Sequence, residues 1–262
     1  EKIGYSRPVV LDSNGAWEAV LENAYDIVVT GEINGEDTLS FKIPYRDSKR
    51  LHIDSEKKIQ IVDDLYKVRT VTDSKDTEGN SVTEVYAEAV FYDLTFSVMK
   101  TEKTFEAEYP EVAMAYALAG TEWNVGTVNV RTKRTWTSSE KNALSILRNV
   151  ADLHGGDLVF DCPNRLVHLL TVNGKDSGAL FAYRKNMKSI QRVVDTRSLI
   201  TRLYAFGDDG LTFADINNGK AYVEDYTYTN EVRISTLDCS SFTNPYQMKE
   251  YTEMRLAQYA KP

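Results

Sequence analysis

The 262-residue chain has few of the residues that mark several protein classes. Its two cysteines, Cys162 and Cys239, are too few for a disulfide scaffold or a structural zinc site. No apolar run reaches the ~18 residues of a membrane span, and no basic, apolar leader precedes the first strand. Lys and Arg number 31 against 39 Asp and Glu, which argues against wrapping nucleic acid or docking on an anionic membrane. These absences predict a soluble, globular protein with reduced thiols.

Sequence motifs of common active sites are also missing. The chain contains no H-E-x-x-H, C-x-x-C, P-loop or G-x-G-x-x-G pattern, so no zinc, nucleotide or dinucleotide site is predicted. His52, His154 and His168 lie far apart in sequence, and His154 falls at a predicted helix C-terminus, where a positive charge is favoured. The two cysteines are interpreted as small, partly buried thiols.

Three weaker patterns suggest chemistry, and each has a simpler interpretation. Asp176-Ser177-Gly178 resembles one aspartic-protease loop, but that chemistry needs two carboxylates that share a proton, so a surface turn is favoured. The acidic stretches Asp73–Asn80 and Asp208–Gly210 lack the spacing of a calcium loop and are interpreted as solvated turns. Alternating tyrosines could form a sugar-binding platform or simply one packed face of a sheet: Tyr222, Tyr226 and Tyr228. We therefore predict no catalytic, metal-binding or cofactor-binding residue.

The residues that are plentiful favour strands. Sixteen Tyr, nine Phe and three Trp stand beside only fourteen Gly and six Pro. Asn34-Gly35 predicts a hairpin turn, after which Leu39, Phe41 and Ile43 alternate as a buried face with Thr38, Ser40 and Lys42 as the wet face. Two further strand pairs follow, formed by residues 58–62 with 66–71 and by a strand that resumes at Val82 and runs to Phe91.

A helical pattern begins after residue 100. Pro110 predicts a helix start and Gly120 its end, and Thr137-x-x-Glu140 predicts the capping box of a second helix that ends at Gly155-Gly156. That helix has an apolar stripe of Leu144, Leu147, Val150 and Ala151. Strands over 157–161 and 166–170 complete a small α+β unit.

Strands return near the end of the chain. A strand over 199–206 and a turn at Asn217-Asn218-Gly219 lead to a strand over 221–224. Asn244 and Pro245 predict the start of a last helix, on which one side is shared by Met248, Tyr251, Met254 and Gln258. This helix is expected to lead to a later domain, because the chain ends directly after it at Pro262.

Several stretches are similar to the phage minor structural (prophage tail) proteins. The similarity begins at Glu32–Gly35, Thr38–Phe41 and Ile43-Pro44, and continues at Gly120–Trp123 and Gly155–Leu158. Its most specific part is Lys185–Ile190 with Arg192, Asp195 and Thr196, followed by Thr201–Ala205, Gly207, Asp209–Leu211, Ile216-Asn217, Gly219 and Tyr222–Tyr226. The resemblance covers nearly the whole chain, and none of its parts is catalytic.

The resemblance implies the N-terminal hub region of a tail-associated protein, similar to the baseplate hub of contractile-tailed phages. The implied fold class is mainly β with an α+β insert, in which antiparallel, barrel-like tube domains carry a small side domain. The expected division is a tube-type domain over 1–100, an α+β side domain over 101–185, the first part of a second hub domain over 186–240, and a helix over 241–262.

The implied function is structural: a hub at the tail tip or baseplate that continues and closes the tail tube and anchors the host-adhesion device. The implied partners are two further copies in a homotrimer, the distal tail protein, other tail-tip proteins, and DNA that passes without specific binding. The virion tail tip is the expected location, after assembly in the host cytoplasm, with no membrane insertion by this chain. Two alternatives stay open, a peptidoglycan endopeptidase and a carbohydrate-binding module. No enzyme activity is expected here, because any cell-wall hydrolase would lie downstream.

Overall fold

The computed structural model describes residues 7–261 apart from 63, 76–78, 80, 173 and 175–192. Seven strands form the first sheet: β1 Val9–Leu11, β2 Trp17–Val20, β3 Tyr25–Gly31, β4 Asp37–Pro44, β5 Lys58–Ile61, β6 Asp64–Lys75 and β7 Ser81–Ala89. Their order is β2-β1-β5-β6-β7-β4-β3, and every neighbouring pair is antiparallel. The predicted hairpins are therefore confirmed.

One face of this sheet forms a core. Leu39, Phe41 and Ile43 are buried as their alternation predicted, and they pack with apolar residues of β6 and β7. Thr38 was expected to be exposed on the polar face, but it is buried. Its hydroxyl donates to Glu36 Oε1 at 3.1 Å, which satisfies the buried oxygen.

The sheet curls strongly. Its two outer strands, β2 and β3, are joined by only residues 21–24, so the C-terminal end of one edge lies near the N-terminal end of the other. Arg7, just before β1, donates to the carbonyl oxygen of Ala24 at 2.8 Å and so bridges to the start of β3. Twist and curling of this kind bring the edges of an antiparallel sheet towards closure.

The turns differ from expectation in detail. In the β3–β4 turn only Asn34 takes a left-handed φ, of 58°, and the amide N–H of Gly35 donates to the Glu32 carbonyl oxygen. The strand predicted to reach Phe91 ends at Ala89, because Val90–Thr95 forms a 3₁₀ helix whose buried Val90, Phe91 and Leu94 cover the core. The apolar residues that suggested a longer β7 are instead buried in this 3₁₀ helix.

The next part is the predicted α+β unit. It contains β8 Lys103–Glu108, α1 Pro110–Leu118, β9 Asn124–Val128, β10 Arg134–Ser138, α2 Ala143–His154, β11 Asp157–Asp161 and β12 Leu166–Leu170. Strands β8 and β10 pair antiparallel, and a second sheet has the order β11-β12-β9. The helix α1 starts at Pro110 as predicted, and Gly120 follows it with a φ of +83°.

The predicted capping box is wrong. Thr137 belongs to β10, where it pairs with Thr104 of β8, and the N-cap of α2 is Asn142, whose Oδ1 accepts from the Ser145 amide at 2.9 Å. The predicted apolar stripe of α2 is confirmed, since all four of its residues are buried. Strand pairing outcompeted the local capping pattern here.

The last part contains β13 Arg202–Gly207, β14 Tyr222–Glu224, β15 Ile234–Cys239 and α3 Pro245–Tyr259. The sheet has the order β14-β13-β15, in which β13 and β15 are parallel. Asn244 caps α3 as predicted, by accepting from the amides of Tyr246 and Gln247. The side that Met248, Tyr251, Met254 and Gln258 share is only partly buried, since Gln258 is exposed, and Thr252 and Leu256 are buried together with Met248 and Tyr251.

Long-range contacts tie the three parts together. Phe91 stacks on Phe160 of β11 at a centroid distance of 4.0 Å. The buried Arg134 forms a two-point ion pair with Glu250 of α3, with nitrogen–oxygen distances of 2.9 and 3.3 Å. The mainly β architecture with an α+β insert is confirmed. No helix in the described part of the chain has the length and apolar character of a membrane span.

Candidate functional site: the polar face of the first sheet

The first sheet has an extended polar surface on the face opposite its core. Strand alternation places Ser40, Lys42, Thr70, Thr72 and Glu84 there, because their neighbours along β4, β6 and β7 point into the core. A shallow cavity of about 250 Å³ lies over this face and is also lined by Asp26 and Tyr86.

The cations in the middle of this surface are neutralised by carboxylates. Lys42 Nζ lies 3.6 Å from Asp26 and 3.5 Å from Glu84, and the attraction of Glu84 raises the pKa of Lys42. Lys67 Nζ lies 2.8 Å from Glu56 and 3.1 Å from Asp93. These two lysines thus sit between two carboxylates each.

Arg69 completes this ion network. Its guanidinium lies within 3.2 Å of Glu56, Glu88 and Asp93. Burial alone would raise the pKa of Asp93, but hydrogen bonds from Arg69 and Lys67 lower it, so this carboxylate is ionised near neutral pH. Three cations are therefore held by five carboxylates, Asp26, Glu56, Glu84, Glu88 and Asp93, and the cluster is net negative.

The edge strand β3 borders this surface and is unusually apolar for an exposed strand. Val28 and Val29 point to opposite faces, and their exposed fractions are 53% and 48%. Tyr25 and Ile33, at either end, are exposed as well. An uncovered strand edge with apolar side chains is a ready site for pairing with another chain.

The predicted histidines do not come together into one site. His154 is buried, and burial lowers its pKa to about 4, so the expectation of a helix-terminal positive charge is wrong. Its Nδ1 donates to the carbonyl oxygen of Thr132 at 3.1 Å. His168 Nδ1 accepts from the Thr127 amide at 2.8 Å, and His52 pairs with Glu18 on the surface. All three have structural contacts.

Both cysteines are free and buried. Burial raises the pKa of the Cys162 thiol to about 12, and that of Cys239 to about 12 as well. A thiolate nucleophile is therefore disfavoured at either position.

The acidic stretches offer no cation cage in the described residues. Asp73 pairs with Arg50 and accepts from the Thr83 hydroxyl at 2.6 Å, and these hydrogen bonds lower its pKa. Asp209 takes a left-handed φ of 49°, as expected of a turn. Within the described ranges no group of three or more His, Cys, Asp or Glu side chains is arranged for a metal ion. Asp176-Ser177-Gly178 lies outside the described residues.

The expectation that Tyr222, Tyr226 and Tyr228 alternate along one strand is wrong. Only Tyr222 lies in a strand, since β14 ends at Glu224 before Tyr226 and Tyr228. The Tyr222 ring packs on Tyr204 at 4.9 Å, and the Arg202 guanidinium covers it at 4.5 Å. Tyr226 donates its hydroxyl to Glu224 at 2.7 Å. The three tyrosines therefore do not form one face of a strand, and only Tyr228 is exposed.

Sequence reasoning missed the ion network and the buried arginine. Alternation predicted which face is wet, but the partners of Lys42, Lys67 and Arg69 come from other strands and from the 3₁₀ helix, so no local spacing signals them. Arg134 carries no sequence signal for burial either.

Three family models match successive parts of the chain. They are described as prophage endopeptidase tail N-terminal domain over residues 8–89, prophage endopeptidase tail domain over residues 97–169, and prophage endopeptidase tail over residues 175–262. No curated protein sequence matches the chain.

Solved structures share the fold. The prophage tail protein gp18 from Listeria monocytogenes EGD-e is 15% identical, with a TM-score of 0.73 over 97% of this chain and 78% of that one. The 43 kDa tail protein of prophage MuSo2 from Shewanella oneidensis is 12% identical, with a TM-score of 0.68 over 98% and 79%. The tail protein from Neisseria meningitidis MC58 is also 12% identical, with a TM-score of 0.65 over 97% and 77%.

Proposed function

Because the chain is a phage tail-associated protein, we propose that it is a structural hub that continues and closes the tail tube and anchors the host-adhesion device. The observation that supports this role best is the polar face of the first sheet. A conduit wall needs one face that packs a core and one face that tolerates passing DNA. This sheet has a buried apolar face and an opposite face of hydroxyls and paired ions.

The ion network suits a surface that DNA slides past. Phosphate binding draws its strength from cations that release counterions, and the central Lys42, Lys67 and Arg69 are engaged with carboxylates. The formal charge of −8 per chain adds long-range repulsion. DNA is thus proposed as cargo without specific binding.

The proposed assembly is a homotrimeric ring. A hub that continues a tube must close around an axis, and head-to-tail contacts close only at a fixed rotation. The exposed β3 edge supports this proposal because a neighbouring subunit would cover its apolar side chains. Three chains at −8 each carry −24, so apolar contact must offset the repulsion, which salt screens.

The deciding experiment images the intact tail tip along its axis. Threefold symmetry is expected at the level that this chain occupies, and a sixfold ring or a single copy there would rule the proposal out. A matched assay adds 20-base-pair DNA to the purified protein at low salt, where no saturable binding is expected. Lys42→Ala should leave that result unchanged, whereas Asp26→Asn with Glu84→Gln should expose Lys42 and raise DNA binding.

The endopeptidase reading is the second candidate because the matching families carry that word in their descriptions. We propose that this chain has no such activity, since the sequence offers no nucleophile, base and electrophile at a recognisable spacing. Purified cell walls and peptide substrates should release nothing above buffer. Release of muropeptides that is lost in Asp176→Ala would establish the enzyme instead.

The remaining expectations stay proposals. The proposed partners are the distal tail protein and other tail-tip proteins, and the proposed location is the virion tail tip after assembly in the host cytoplasm. The division at residues 100, 185 and 240 is supported by strand pairing, since in the described residues no sheet crosses those positions. Within the proposed last segment, 241–262, the helix α3 packs back on β13 and β14.

A further inference from the structure

In the described part of the chain, strand β11 has no partner strand on one of its edges. It is the outer strand of the sheet β11-β12-β9, and in an antiparallel pair alternate residues direct their N–H and C=O groups away from the partner. Leu158 is such a residue, because its amide donates to the Asn34 side chain at 2.6 Å instead of to β12. Phe160 has the same parity and therefore also points its backbone groups outward.

Asn34 already occupies the first position along this edge. Its Nδ2 donates to the Gly156 carbonyl oxygen at 3.1 Å while its Oδ1 accepts from the Leu158 amide. The Asn34 side-chain amide thus forms hydrogen bonds with a backbone carbonyl and a backbone amide two residues apart. A residue of an added strand would form the same pair of bonds. In the described part of the chain, no loop or side-chain hydrogen bond reaches the outward groups of Phe160.

A cavity of about 310 Å³ lies at this free edge. The hairpin turn over 31–35 forms one wall, and Leu158, Val159 and Phe160 form the other. The half-buried ring of Phe160, which stacks on the buried Phe91 ring, supplies apolar surface. Arg148 of α2 lines the same cavity. Its guanidinium lies over the Tyr92 ring, 5.8 Å from the ring centroid, and forms no ion pair with a carboxylate of the described residues.

We propose that this slot binds an extended peptide segment of another polypeptide, which adds to β11 as a short strand and sets an acidic side chain against Arg148. Unpaired backbone groups recognise backbone, so an extended peptide is the ligand that fits them. Because Asn34 already holds the Leu158 amide, the peptide is left with the Leu158 carbonyl oxygen and both backbone groups of Phe160. About three residues span this stretch at a rise of ~3.3 Å per residue. The Arg148 guanidinium, which pairs with no carboxylate of the described residues, selects for a carboxylate beside that segment.

The probe is a capped hexapeptide of alternating Val and Thr that ends in Glu, since β-branched residues favour the extended form. Two N-methylated versions serve as matched ligands, one methylated at the first, third and fifth amides and the other at the second, fourth and sixth. Binding is measured by amide NMR of the full chain, with Leu158 and Phe160 as reporters. Strand addition predicts that one methylated peptide binds about tenfold more weakly than the other, because it loses the hydrogen bonds to the edge.

Arg148→Gln tests the acidic contact. It should weaken the Glu peptide about twofold to fivefold and leave a Gln-ended peptide unchanged. Arg165→Gln is the matched control, because Arg165 lies over the Trp123 ring and outside the slot. Absence of binding, equal affinities for the two methylated peptides, or equal effects of the two arginine variants would overturn the proposal. The hub proposal stands apart from these outcomes, since it is judged on the symmetry of the tail tip.

Discussion

The buried His154 should make folding stability depend on pH in a defined window. Its side chain is 2% exposed, and burial lowers its pKa from the ordinary 6.5 to about 4. Between these values the unfolded chain binds a proton at this position and the folded chain does not. The free energy of unfolding must therefore fall as the pH falls through this window.

The magnitude follows from the two pKa values. A shift of about 2.5 units at ~1.36 kcal/mol per unit gives a full loss of about 3 kcal/mol, reached below pH 4. At pH 5 about 2 kcal/mol of that loss is already present. Carboxylates with lowered pKa values, such as Asp93 and Asp73, are ionised in both the folded and the unfolded chain above pH 5. They therefore change the free energy of unfolding little between pH 5 and pH 7.5.

The assay is urea unfolding at pH 7.5 and pH 5.0 for the parent chain and for His154→Gln. The glutamine side chain keeps a hydrogen-bond donor for the Thr132 carbonyl oxygen but cannot be protonated. The parent should lose about 2 kcal/mol more than the variant between the two pH values. An equal loss in the parent and in His154→Gln would refute the reasoning.

Two further results are expected. Glu250→Ala should lower the free energy of unfolding by about 2 kcal/mol or more, because it leaves the buried Arg134 guanidinium without its carboxylate. Glu253→Ala removes an exposed pair with Lys249 and should lower it by about 0.5 kcal/mol or less. Thermal unfolding measures both variants, and equal losses would contradict the assignment. Because Cys162 and Cys239 are buried and free, both should resist alkylation in the native chain and react in denaturant without reductant. A mass increase of no label or of one label in denaturant would contradict this.

Local patterns predicted the parts of the structure that depend on neighbouring residues. The hairpin at Asn34, the buried alternation of Leu39 to Ile43 and the cap at Asn244 all follow from backbone preferences within a few positions. Those preferences hold wherever no tertiary contact competes with them. Thr137 shows the opposite case, since the strand pairing of β10 with β8 replaced a good capping motif.

The sequence by itself determined the mainly β class, the order of helices and strands in the α+β unit and, apart from Thr38, the wet face of β4. Only the tertiary structure decided how charges are used. Burial made His154 neutral, enclosed Arg134 beside Glu250, and supplied carboxylates to Lys42 and Lys67 from other elements. The physical reason is distance. Secondary structure follows contacts between residues near in sequence, whereas desolvation and Coulomb energies depend on groups that folding brings from far along the chain.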